Sequence, residues 1–158
     1  MKKLIIIATV LAILPSLCLA VTKPSSKETK KVIDYYNSGK GNGAVLVDSK
    51  LCSEMGKEED SKNECIQSFS GNDIKIGDEI YLWMNFMIPV DDTAEIIITY
   101  TRNNRIRKTQ GITLNSTFRY RTWKKIATDK PGKWTIQIFQ EIGDKDIDIG
   151  SLTYNVTE

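Results

Sequence analysis

Residues 94–114 read AEIIITYTRNNRIRKTQGITL, and the reading of this stretch decides the fold. Ala94, Ile96, Ile98 and Tyr100 occupy one parity, and Glu95, Ile97 and Thr99 the other. That period of two is the signature of a strand rather than a helix. Asn103 and Asn104 follow, two residues that tolerate positive φ and so suit the tight turn of a hairpin. The return run, 105–114, dilutes its apolar face with Lys108 and Gln110, as a strand at the edge of a sheet does.

The same language extends in both directions. Toward the C-terminus, a strand over 117–126 is followed by a Pro131-Gly132 turn, and the run 133–141 places Trp134, Ile136 and Ile138 on one face. A turn at 143–146 leads into a last strand ending near Val156. In that strand Ile147 and Ile149 hold one parity and Leu152, Tyr154 and Val156 the other. The slip predicts a β-bulge at Gly150-Ser151. Toward the N-terminus lie runs over 79–88, ending at Pro89, over 66–76, broken by Gly71-Asn72-Asp73, and over 44–51. Seven or eight strands in roughly 115 residues predict an all-β, immunoglobulin-like β-sandwich over 43–158.

Ahead of the sandwich the pattern changes. SKETKKVIDYYNSG, from Ser26, has a serine cap, Val32, Tyr35 and Tyr36 at helical spacing, and Gly39 as a stop. This predicts one short helix within a leader over 21–42 that ends in a Gly-rich joint. Residues 1–20, MKKLIIIATVLAILPSLCLA, have a basic start, an apolar run broken by Pro15, and small residues at the close. That is the three-part pattern of a signal peptide, and it predicts an exported protein, periplasmic or secreted, that meets the membrane only through this signal.

Export changes the meaning of the composition. The chain of 158 residues carries 22 basic and 20 acidic side chains and three cysteines. Loss of residues 1–20 removes Lys2, Lys3 and Cys18, leaving the charges balanced and two cysteines, Cys52 and Cys65. In an oxidising compartment this pair predicts a structural disulfide stapling the charged loop SEMGKEEDSKNE. The chain has no histidine, which excludes His-dependent triads, His-ligated metal sites and histidine proton shuttles within it. Balanced charge gives no reason to expect nucleic acid as a partner, and no motif calls for a cofactor.

The C-terminal half, FRYRTWKKI, then DKPGKWTIQIFQE, then IGSLTYNV, resembles an exported bacterial β-sandwich family, domain of unknown function family 2914. Arg121 and Trp123, Gly132, Trp134 and Thr135, and Tyr154 and Val156 carry the resemblance. It implies a fold and no chemistry.

Two segments are candidates for partner binding. Residues 81–87 are apolar on both faces, with Leu82, Met84 and Phe86 on one and Tyr81, Trp83 and Met87 on the other. Such a strand is covered on both sides or forms a binding surface, and the available cover is the helix around Val32, Ile33 and Tyr36. On the run from Phe118, alternation places Arg119, Arg121 and Trp123 on an outer face, where tryptophan beside arginine suits sugars or an anionic polymer. Asp144, Asp146 and Asp148 form a weak calcium candidate, since Ile149 and Asn155 stand where a helix–loop–helix calcium loop needs Gly and Glu. The resulting expectation is a non-catalytic interaction domain that binds a protein or an envelope glycan through a sheet face. The alternatives are a small envelope enzyme, or an inhibitor of an envelope-attacking enzyme that uses the stapled loop.

Overall fold

The computed structural model describes residues 24–39, 43–69, 73–88, 93–117 and 119–158. The expected signal peptide and Pro89, Asp91, Asp92 and Phe118 lie outside the described residues. Among the described residues, one helix, α1 (Ser26–Asn37), precedes nine strands: β1 (Val45–Met55), β2 (Cys65–Ser68), β3 (Asp73–Lys75), β4 (Tyr81–Met87), β5 (Thr93–Arg102), β6 (Arg105–Asn115), β7 (Tyr120–Lys125), β8 (Gly132–Ile142) and β9 (Lys145–Thr157). They form two sheets, in the orders β2-β1-β4-β7 and β3-β9-β8-β5-β6. This is a β-sandwich. The order β9-β8-β5 corresponds to strands G, F and C of the immunoglobulin arrangement, and β4 beside β7 to B and E.

The count exceeds expectation because the run 66–76 does not stay in one sheet. Its first part, β2, pairs with β1, while its second, β3, crosses to pair in parallel with β9. Three residues of β3 suffice because Ile74 is completely buried in the core.

The core lies between the sheets and draws on the alternating rows. Ile96, Ile98 and Tyr100 from β5, Trp134, Ile136 and Ile138 from β8, and Leu82, Met84 and Phe86 from β4 are all buried there. Asn103 and Asn104 take φ of 49° and 62°, the left-handed pair that a two-residue hairpin turn requires. In β9 the register slips where Ile138 faces Gly150 and Phe139 faces Asp148, so Ile149 is the extra residue. The expected bulge is present, one position earlier, and it turns Tyr154 and Val156 inward.

The helix starts with a capping box. The Ser25 hydroxyl accepts from the Glu28 amide, and the Glu28 carboxylate accepts from the Ser25 amide at 2.7 Å. Gly39, at φ 71°, ends it in the left-handed conformation. Its apolar side chains do not form the expected cover: no residue of the helix is buried, and Ile33 remains 54% exposed. It docks through polar groups instead. Lys31 Nζ donates to the Val47 carbonyl at 2.6 Å, and the Tyr36 hydroxyl donates to the Gly43 carbonyl at 3.3 Å.

Candidate functional site

The outer face of the four-stranded sheet holds the residues singled out for binding. Cross-strand pairing aligns Lys50, Trp83 and Trp123 in one row, and Cys52, Tyr81 and Lys125 in the next. Asp48, Asn85 and Arg121 form a third. The expected division of faces is therefore present: Tyr120 packs on the core while Arg121 and Trp123 point outward with Trp83.

Much of this face is occupied by the chain itself. Cys52 and Cys65 are joined in a disulfide with their Cα atoms 5.8 Å apart, which lays the loop between them over Trp83. Trp83 is 5% exposed, packs with Cys52 and Met55, and donates its indole N–H to the Asn63 carbonyl at 2.7 Å. Asn63 has φ of 64°, a backbone state asparagine tolerates. The Lys50 ammonium lies 4.8 Å from the centre of the Trp83 ring. The cover over Trp83 is thus the stapled loop rather than the helix, and Trp83 does not form an open patch. Met87, at the far end of the strand opposite Val45, is half-buried.

Both arginines are paired. Arg121 forms an ion pair with Glu64 of the loop, and Arg119 one with Glu28 of the helix at 2.7 Å. Glu28 also accepts from Asn85 Nδ2 at 3.0 Å. Burial raises the Glu28 pKa, but hydrogen bonds from Ser25 and Arg119 and the Arg119 charge outweigh it and hold the carboxyl at about 2. These arginines fasten the loop and the helix to the sheet.

The end of the face at Trp123 stays open. Its side chain is 39% exposed and meets Tyr81 edge-on, ring centres 5.1 Å apart at 83°. The two rings form one wall of a groove of about 240 Å³ whose rim carries Ser53, Glu54, Lys57 and Glu79. Glu79 is ion-paired with Lys125; that hydrogen bond and charge hold its carboxyl below the usual range and raise the lysine. An aromatic wall facing carboxylate acceptors suits a ligand with C–H faces and hydroxyl donors.

Other candidates come apart. Asp144 lies in the β8–β9 turn, Asp146 and Asp148 are exposed, and Asp148 accepts from the Gly150 amide at 3.0 Å. Among the described residues no group of three or more acidic or cysteine side chains is placed to hold a metal ion, so Asp144, Asp146 and Asp148 are not brought together as such a group. Among the described residues, no helix is long and apolar enough to cross a membrane.

No family model and no curated protein matches the chain. Among solved structures, it is similar to the C-terminal domain of Wzt, at a TM-score of 0.51 and 12% identity over 75% of each chain. The likeness is one of fold. A β-glucosidase from Listeria innocua in complex with glucose also matches, at a TM-score of 0.38 and 9% identity, over 65% of this chain and 19% of that one.

Proposed function

We propose that the protein is an exported, non-catalytic interaction domain that binds an envelope glycan at the Trp123–Tyr81 groove. The observation that carries this reading is Trp123, among the described residues the one large aromatic side chain left exposed on this sheet face. A sugar ring stacks on such a surface, and Glu54 and Glu79 accept its hydroxyls. The N-terminal twenty residues supply the reason to place it outside the membrane, and the residues around Trp123 and Trp134 the reason to group it with domain of unknown function family 2914.

The test is titration of the purified protein with a panel of envelope glycan fragments, read by tryptophan fluorescence and by the mass of the recovered ligand. Trp123→Ala is expected to weaken binding at least ~10-fold while the protein stays folded, since the edge contact with Tyr81 that it loses is worth only about 0.5–1.5 kcal/mol. Unchanged affinity in this variant, or a panel that does not bind the wild type, overturns the reading. A cleaved ligand overturns its non-catalytic part.

A further inference from the structure

The inward-facing row of β5 runs Ala94, Ile96, Ile98 and Tyr100, all buried, and its next member is Arg102. On β6, Lys108 stands directly opposite Tyr100. The core therefore ends in cations on this flank. The pairing also skips a residue, since Tyr100 faces Lys108 while Thr101 faces Ile106. That bulge sets two consecutive residues, Arg107 and Lys108, against one on β5, and both line the same cavity although neighbours on a regular strand face opposite ways. The segment after β7 closes the cavity from the other side with Ile126, Ala127, Asp129 and Lys130. Its volume is about 500 Å³.

Five cations thus line one concavity, Arg102, Arg107, Lys108, Lys125 and Lys130, and Lys125 is paired with Glu79 outside it. Among the described residues, none of the other four lies within ion-pair distance of a carboxylate, and Asp129 is the cavity's single acidic side chain. Trp134 meets the charge of one of them and the backbone of another. The Arg102 guanidinium lies 5.7 Å from its ring centre, and its indole N–H donates to the Lys130 carbonyl at 3.1 Å. Two polar atoms of lining residues, the Tyr100 hydroxyl and Arg102 Nε, are buried with no hydrogen-bond partner. Burial pushes the Tyr100 pKa to about 12, so this hydroxyl keeps its proton at neutral pH. Like charges gathered in a concave, partly apolar site repel one another and focus a positive potential there. Charges that only protect an edge strand have no need of an inward row or of orphaned donors.

We propose that this cavity is a second binding site, distinct from the aromatic groove, which takes a phosphate ester on a small organic body. The arginine forks and lysines meet the phosphate oxygens. Ile126, Ala127 and Trp134 meet the body, and the volume is within the range of small-molecule sites. The phosphate can belong to a sugar or to a lipid headgroup.

The experiment is calorimetric titration of the purified protein with glucose 6-phosphate and with glucose, in low salt and at physiological ionic strength. A parallel arm uses phosphatidylcholine vesicles with and without phosphatidate, and assigns the source. The proposal expects the phosphorylated probe or the phosphatidate vesicles to bind, glucose not to bind in this cavity, and affinity to fall as salt rises. Arg107→Glu/Lys108→Glu, at exposed positions, is expected to weaken binding at least ~10-fold with an unchanged unfolding midpoint. Trp123→Ala is expected to leave phosphate binding intact, so failure of this site is distinguishable from failure of the groove. The proposal is overturned if no phosphorylated probe binds the wild type, if glucose competes equally, or if the double variant binds as the wild type does.

Discussion

Glu28→Gln removes a charge but little volume, and the structure says what depends on that charge. The carboxylate caps α1, accepts from Asn85, and neutralises Arg119, with 12% of its side chain exposed. A pKa lowered from 4.5 to about 2 corresponds to at most ~3 kcal/mol of stabilisation. Water still reaches Arg119, whose side chain is 21% exposed, and glutamine still accepts one hydrogen bond. The expected loss at neutral pH is therefore ~2 kcal/mol. Because the folded pKa lies below the unfolded one, the wild type's advantage is complete well above pH 4.5. It falls as the pH drops toward 2, with less than half remaining near pH 3. Urea unfolding of both proteins across this range measures the difference, and hydrogen exchange over residues 26–37 reports release of the helix. A variant within about 0.5 kcal/mol of the wild type at pH 7 refutes the reasoning, and so does a difference that persists unchanged at pH 2.

Two further perturbations separate the loop from the core. Removing the disulfide by Cys52→Ser/Cys65→Ser is expected to cost ~3 kcal/mol, and Trp134→Ala, emptying a buried ring stacked on Tyr154, ~3–5 kcal/mol; the reverse order in thermal unfolding counts against this division of staple and core. In Gly56→Ala the new Cβ would lie 2.0 Å from the Ser61 backbone carbonyl oxygen, so the loop must open. A loss of ~1–3 kcal/mol and red-shifted Trp83 emission are expected, while unchanged emission would mean that the loop does not clamp the indole.

Features governed by neighbours in sequence were legible before the structure. The alternation of Ile96, Ile98 and Tyr100, the Asn103-Asn104 turn and the slip near Gly150 all follow from local periodicity and turn chemistry. What escaped was pairing across the chain. Arg119 looked free because Glu28, its partner, is 91 positions away. What covers Trp83 was not legible, because the cover includes a backbone carbonyl, that of Asn63, which carries no side-chain signal. The cationic cavity escaped for another reason: a strict alternation puts Arg107 and Lys108 on opposite faces, and only the bulge brings them together. A two-versus-one register is not visible in a single run of exposed polar residues.

The order in which strands meet has a kinetic meaning. β5 with β6 and β8 with β9 close through two-residue turns, and such hairpins form in about 1–10 μs. β3 with β9 cannot keep pace, since the Thr157 hydroxyl that meets the Ile74 carbonyl lies 83 positions along the chain. Sandwiches built on such distant pairings complete folding in about milliseconds to seconds. Through that interval the β5–β6 ribbon stands with an unpaired edge toward other unfinished molecules. Arg105, Arg107 and Lys108 along that edge keep two nascent sheets from joining strand to strand.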